Sequence, residues 1–409
     1  MCPVQAHAQV SPGAGWPVIT TETLPWTPSA AFGEMTRRDR AAQRNEYEAA
    51  IVPAIATLDF APSQAVAAAA EDAATEIARF DAELGNEIAP FAAILLRSES
   101  AASSNIEQLT ASARSVAFAE LGDRSKVNAS LIAANTAAMR SAVSLADNLD
   151  SDSILEMHRA LMETAEPREA GRWRTQQVWI GGSSFGPSGA AYVAPHHDRV
   201  APAIDDLIAY MKRDDIPVLI QAAIAHAQFE TIHPFTDGNG RTGRALIHAL
   251  LRGKGLTRNV TVPVSAGLLA DTDAYFDALI TYQAGNPEPI ILAAANASFT
   301  AITNGRQLVA DLRRIRESWR ERIRARSHSS TWEIADLLIR QPVVNAKVLS
   351  DELGIGPTHV RRHMDVLTEA GVVELTKVYQ RGVFWPAQEV LDALDAFSAR
   401  SGRRGRAAN

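Results

Sequence analysis

Between two apolar runs, Val218-Leu219-Ile220 through Phe229 and Ala245-Leu246-Ile247 through Leu251, the chain reads His233-Pro234-Phe235-Thr236-Asp237-Gly238-Asn239-Gly240-Arg241-Thr242-Gly243-Arg244. No other stretch limits the fold as tightly. Pro234 has no amide N–H and cannot extend the hydrogen bonding of the first run, so that helix must stop before it. Gly238 and Gly240 permit a tight turn, after which the second run restarts as a buried helix. The spacing predicts helix, short loop, helix, with free N–H groups and the positive end of a helix dipole facing whatever the loop encloses.

An anion is favoured there. Arg241 and Arg244 stand three apart in the first turn, flanking Gly243, so both can face one pocket and match phosphate oxygens in pairs. Asp237 offers a hard carboxylate oxygen, which suits a Mg²⁺ shared with phosphates better than an all-protein cage. His233, with an ordinary pKa near ~6.5, can take a hydroxyl proton at neutral pH. Base, carboxylate, anion cradle and two cations are the parts that in-line transfer from a nucleotide requires. Other nucleotide and metal motifs are missing: there is no G-x-x-x-x-G-K-[ST], no G-x-G-x-x-G opening a strand–turn–helix, and Arg241 spoils an EF-hand reading.

With 409 residues the chain has room for two to three domains, and its 46% hydrophobic and 21% charged content is that of globular proteins. The single cysteine, Cys2, excludes an intramolecular disulfide and cysteine-cluster metal sites. No apolar run reaches the ~18 residues of a membrane span, and the start lacks a signal-peptide pattern, so a soluble, cytoplasmic protein without a membrane partner is expected. Residues 301–409 hold 18 Lys+Arg against 13 Asp+Glu, leaving 22 against 34 for the rest, and this opposition of charge suggests two jobs.

Prolines at 3, 12, 17, 25 and 28 make residues 1–41 an irregular arm. Helical periodicity begins near Ala42, giving a helical region 42–127 followed by a mostly helical core 128–304. One interruption stands out: Val178-Trp179-Ile180, then Gly181-Gly182, and a return through Tyr192-Val193 read as a β-hairpin that needs support from the helical body. Arginines between Asp311 and Arg326 interleave with Leu312, Ile315, Trp319 and Ile323, so 305–330 reads as a basic linker helix or a nucleic-acid face.

The loop matches H-P-F-x-[DE]-G-N-G-R-x-x-R, the signature of Fic domains, at every defined position, and the chain resembles that family. The resemblance implies a mainly α fold, a helical Fic core with a β-hairpin flap, and transfer of AMP from ATP, with Mg²⁺, to a Ser, Thr or Tyr hydroxyl of a target protein. His233 would then deprotonate the hydroxyl and Asp237 hold Mg²⁺. Asn239 and the Gly240 N–H would bind the α-phosphate, Arg241 the middle phosphates and Arg244 the γ-phosphate, with Gly243 part of the same cradle. Gly240 speaks against the related Doc kinases. Val178, Trp179, Ile180 and Gly181 resemble the flap that docks the target's backbone as an added strand.

Ser103-Ser104-Asn105-Ile106-Glu107 resembles the inhibitory motif [ST]-x-x-x-E-[GN] of family members whose blocking helix precedes the core, although Gln108 replaces the usual Gly or Asn. Glu107 would occupy the charge of Arg244 that the γ-phosphate needs. The same carboxylate could activate water and remove AMP instead.

Residues 331–400 resemble a winged helix-turn-helix: helices at Thr331–Arg340, Ala346–Leu353 and Pro357–Ala370, then two wing strands near Val372–Leu375 and Gly382–Trp385. Thr358, His359, Arg361, Arg362 and His363, with Lys377 and Arg381 in the wing, are placed for DNA contacts, while Asp365, Glu369 and Glu374 dilute the positive face. Residues 401–409 form a basic tail. The leading expectation is an autoinhibited protein adenylyltransferase. A nucleotide-sensing DNA-binding regulator, a protein partner for the C-terminal unit and a homodimer remain open.

Overall fold

Helices make up most of the described chain, a computed structural model covering residues 15–27, 44–84, 88–183, 185–378 and 382–402. At its N-terminal end β1 (Thr20–Pro25) pairs antiparallel with β2 (Glu46–Ile51), Thr20 opposite Ile51. The arm expected to be irregular therefore contains a strand, and the region expected to be helical from residue 42 opens with another. Buried Tyr47 and Ala49 alternate with exposed Glu46 and Glu48, a period-two pattern too short to read without its partner more than twenty residues away. Trp16 anchors this segment, its ring 5.5 Å edge-on from Phe60 and 5.9 Å from Tyr282. Residues 1–14 and 28–41 of the arm lie outside the described residues.

Helices α1 (Gln64–Glu83), α2 (Ile88–Ile106), α3 (Ala113–Glu120), α4 (Val127–Ser144) and α5 (Ser151–Met162) follow. A short hairpin, β3 (Trp179–Ile180) with β4 (Tyr192–Val193), then leads to α6 (Val200–Met211), α7 (Val218–Ile232), α8 (Asn239–Gly253), α9 (Val264–Leu269), α10 (Thr272–Gln283) and α11 (Glu288–Arg322). Every residue of α7 from Leu219 to Phe229 is buried, as expected of a helix that is apolar all round, and α1, α6, α8 and α11 pack about it.

Helix α2 lies against α4, α8 and α9. Its buried Glu99 accepts from the Ser265 N–H at 2.8 Å and stands 2.7 Å from His248 Nε2, which fastens α2 to α8 and α9. The two helices run antiparallel, so the C-terminal end of α2 arrives over the first turn of α8.

Helix α11 runs unbroken for 35 residues, so the expected boundary at 304 falls inside a helix. Gly305 explains why no break is needed: a Cβ there would lie 3.1 Å from Phe80 Cζ, and glycine allows α1 to come close. Beyond it come α12 (Ser330–Arg340), β5 (Val343–Asn345), α13 (Ala346–Leu353), α14 (Pro357–Glu369), β6 (Thr376–Val378) and β7 (Gly382–Pro386), with sheet order β5-β7-β6 and both pairings antiparallel. A last helix, α15 (Gln388–Ser401), unforeseen in the sequence, folds back on α11, α2 and α3. One apolar core extends from Trp16 to Phe397 through both the central helices and the C-terminal unit. Among the described residues no helix is long and apolar enough to cross a membrane.

A continuous core predicts one cooperative unfolding transition. Trp319 is buried and donates its Nε1–H to Glu389 at 2.6 Å, tying α11 to α15. Trp319→Ala should lower stability by about 3–5 kcal/mol in urea denaturation; a separate transition assignable to residues 330–402 would contradict the single core.

Candidate active site

The loop between α7 and α8 is held from beneath. His233 caps α7 in the left-handed region, with φ 50° and ψ 60°. That unfavourable backbone is braced by Arg174, whose Nε donates to the His233 carbonyl at 2.8 Å and whose N–H donates to that of Pro234 at 3.0 Å. Phe235 turns inward and stacks on His158, ring centroids 3.6 Å apart, with Trp173 on the same ring at 5.0 Å. His158 accepts from the Gly171 N–H at Nδ1, so its Nε2–H can donate to the Asp237 carbonyl at 3.1 Å. Gly238, at φ 78°, makes the turn into α8; a Cβ there would sit 3.0 Å from Leu161.

Asn239 is engaged within the loop itself. Its Oδ1 accepts from the Phe235 N–H at 2.8 Å and its Nδ2 donates to the Phe235 carbonyl at 2.9 Å. Both polar ends of this buried amide are spent on closing the loop, which leaves backbone N–H groups to face a phosphate. Gly243 departs from expectation. A Cβ there would meet Glu230 Oε1 at 2.6 Å and Phe229 at 3.0 Å, so this glycine lets α8 approach α7 and does not line the cradle.

The two arginines stand in opposite conditions. Arg241 is 5% exposed, reaches Asp237 Oδ2 only at 3.4 Å, and keeps Nε and Nη1 buried with no hydrogen-bond partner among the described residues. Its charge is disfavoured by burial, with Asp237 and Glu107 opposing that. Arg244, equally buried, is satisfied: Nε donates to Ser103 Oγ, and Nη2 to the Ser103 carbonyl and to Glu107 Oε1, each at 2.9 Å. Burial weighs most against its charge, and Glu107, Tyr275 and Glu230 together offset this and hold the guanidinium above its ordinary pKa.

Glu107 itself lies over the loop: a Cβ at Gly240 would be 2.1 Å from Glu107 Oε1. Ser103 and Glu107 thus both meet Arg244, and Glu107 also meets Gly240. Gln108, where the family pattern has Gly or Asn, ends α2 at φ 62°. The requirement of the position is a left-handed backbone, which glutamine tolerates at a cost.

His233 Nδ1 stands 3.2 Å from the Glu230 carbonyl; with the proton on that nitrogen, Nε2 is left with a free lone pair. Burial pushes its pKa down to about 4, so the ring is neutral at pH 7. Asp237 points outward, its side chain 67% exposed, with Oδ1 accepting from the Gly238 N–H at 2.6 Å. Glu230 was not singled out from sequence. Its carboxyl is pushed up to about 8 by burial, Arg244 pulling the other way, and its Oε1 has no hydrogen-bond partner among the described residues, with His226 Nδ1 at 3.9 Å. Arg174, His158 and Trp173 were likewise missed, because nothing local marks residues that meet the loop from 60 to 80 positions away.

The flap lies beside this site. Tyr192 donates its hydroxyl to the Thr231 carbonyl at 2.6 Å, two residues before His233. Ile180 is exposed, Gly181 adopts φ 76°, Val178 accepts from the Ala194 N–H, and Trp179 packs edge-on against Trp26 of the N-terminal ribbon. In the C-terminal unit Thr358, His359, Arg361 and Arg362 are exposed on α14. His363 is not among them: its Nδ1 faces Thr331 Oγ1 at 2.9 Å, so it ties α14 to α12. Lys377 lies on β6, and Arg381 falls outside the described residues.

Residues 148–251 match the model of the Fic/DOC family, and this part of the chain is a Fic domain. The protein adenylyltransferase fic-1 of Caenorhabditis elegans is 34% identical over 160 residues, 38% of this chain and 28% of that one. That of Caenorhabditis briggsae is 37% identical over 154 residues, 37% of this chain and 27% of the relative. The chain thus spans little more than a quarter of the length of these curated relatives. A Fic family protein from Desulfovibrio desulfuricans G20 shares the fold, with a TM-score of 0.50 and 20% identity over 80% of this chain and 97% of that one.

The backbone at Gln108 yields a prediction. Gln108→Gly should relieve the left-handed cost and raise stability by roughly 0.5–1 kcal/mol, read as a higher melting temperature. An unchanged or lower value would mean that the glutamine side chain earns its place there.

Proposed function

We propose that the protein is an autoinhibited protein adenylyltransferase that transfers AMP from ATP to a hydroxyl side chain of a target protein. The observation that carries this reading is the contrast between the arginines: Arg241 holds two buried donors without hydrogen-bond partners among the described residues, while Glu107 covers Gly240 and occupies Arg244. A triphosphate laid along the loop supplies acceptors to both, provided the carboxylate withdraws. His233 Nε2 then accepts the proton of the target hydroxyl, whose oxygen attacks the α-phosphorus as pyrophosphate departs. Nearby N–H groups at the start of α8 offset the charge that develops. The flap aligns the target by pairing along its open edge.

A single outward carboxylate, Asp237, with no protein cage about it, fits a Mg²⁺ that completes its shell with phosphate oxygens and water. When bound there, the ion would neutralise phosphate charge.

With α-labelled ATP, Glu107→Gly should label protein at least ~10-fold more than the wild type, and His233→Ala in that background should abolish labelling. Because burial holds His233 near the low value stated above, activity of Glu107→Gly should stay level through pH 6.5 and decline only as the pH nears 4. Labelling that survives His233→Ala, or an acid limb centred on the ordinary histidine value, would refute the assignment of the base.

Relief of inhibition is assigned to the C-terminal unit, because that unit grips the helix bearing Glu107. Asn105 donates to Ser398 Oγ at 3.3 Å, Asp395 accepts from the Ala113 N–H at 2.8 Å, and Arg114 donates to Gln388 and Thr376 at 2.9 and 3.0 Å. A partner that displaces α15 would pull on α2 and α3 and so on Glu107. Arg114→Ala with Asp395→Ala should raise labelling roughly 3- to 10-fold in the wild-type background and leave Glu107→Gly unchanged. A salt-sensitive gel shift lost in Arg361→Ala/Arg362→Ala would make that partner DNA; without one it is a protein.

A further inference from the structure

Outside the loop, the segment leaving the flap brings together side chains that the transfer reaction does not use. After β4 the chain passes through Ala194 and Pro195 into a short turn of 3-10 helix, His197–Arg199. His196, His197 and Asp198 each offer one donor atom, and the three atoms lie within 4.8 Å of one another. His196 Nδ1 is 3.3 Å from Asp198 Oδ2, and His197 Nε2 is 3.6 Å from Asp198 Oδ1. Both separations exceed the ~2.7–2.9 Å of a charge-assisted hydrogen bond. Each imidazole approaches a different oxygen of the Asp198 carboxylate, at a separation comparable to the ~3.3 Å between neighbouring ligands on metal–ligand bonds of about 2.0–2.1 Å.

The turn is braced before any ion arrives. Arg174, 2% exposed, donates Nη2 to the Pro195 carbonyl at 2.6 Å on one side. On the other, Arg199 forms a two-pronged pair with Glu22 at 2.6 and 2.7 Å. The imidazoles are about one-third exposed and the carboxylate 80% exposed, so an ion can reach them from solvent and retain water in its open position.

We propose that His196, His197 and Asp198 form a binding site for a divalent first-row transition ion of the zinc class. Two nitrogens and one carboxylate oxygen suit Zn²⁺, Co²⁺ or Ni²⁺, whereas Mg²⁺ and Ca²⁺ prefer all-oxygen shells. The site is therefore chemically distinct from the lone carboxylate of Asp237, and it does not depend on the adenylyltransferase reading. Arg174 spans from the Pro195 carbonyl to the His233 carbonyl, so an ion here stiffens the base of the flap one residue from the brace under His233.

The test measures metal directly. Tag-free protein stripped with chelator and dialysed against micromolar Zn²⁺ should retain about one equivalent, unaffected by millimolar Mg²⁺, with a melting temperature that rises with Zn²⁺. Co²⁺ should give visible absorption of a nitrogen- and oxygen-ligated ion. His196→Ala/His197→Ala should lose the equivalent, the absorption and the thermal shift, and Asp198→Asn should weaken binding by roughly 10-fold or more. Should the double variant not fold, His197→Gln is read in its place. Absence of uptake by the wild type, or equal uptake by folded variants, overturns the proposal and in the second case marks adventitious binding elsewhere. Labelling from ATP plays no part in this readout, so failure here leaves the proposed transfer untouched.

Discussion

Helices α2 and α8 pack antiparallel, and successive turns of each face one another: Glu99 with His248, Ser103 with Arg244, Glu107 over Gly240. Each step is four residues on both helices, the spacing that keeps side chains on one face. The arrangement is demanding because Arg244 is 1% exposed, and a guanidinium so placed is costly without hydrogen-bond partners. The end of α2 satisfies it with one hydroxyl, one carbonyl and one carboxylate. Inhibition, in the proposed reading, follows from this electrostatic need: whatever replaces Glu107 must bring negative charge to the same guanidinium.

The loop beneath answers a different constraint. A left-handed residue at the end of α7 and a glycine turn before α8 must be kept in place without filling the cavity they enclose. Asn239 does this by bracketing Phe235, and His158, Trp173 and Arg174 support the loop from below. Around the recess stand the neutral ring of His233 and the Nε and Nη1 donors of Arg241, which have no hydrogen-bond partner among the described residues.

The C-terminal unit belongs to this mechanical system. Helix α11 passes from the middle of the core to the base of that unit, and α15 returns to cover α2 and α3. Since α2 is fastened to α8 by Glu99 and gripped by α12 and α15 on another face, it lies between the loop and the C-terminal unit. Coupling through a packed helix of this kind needs only two arrangements of its end, with Glu107 on Arg244 or away from it.

The amino-acid order by itself determined the helix–loop–helix at 233–244 and the chemistry open to His233, Asp237, Arg241 and Arg244, because these rest on short spacings and on residue type, whereas the pairing of Ser103 and Glu107 with that loop was implied only by resemblance to a family motif. It also marked the flap through its glycines and the helical segments of the C-terminal unit through their periodicity. Tertiary structure alone decided that Asn239 closes the loop, that Gly243 faces α7, that His363 turns inward, and that Arg174 and His158 belong to the site. It decided too that residues 20–25 and 46–51 pair, and that α11 runs through the expected domain boundary. Those outcomes depend on which surfaces meet across long separations in the chain, where hydrogen bonding and close packing, not local preference, choose the partner.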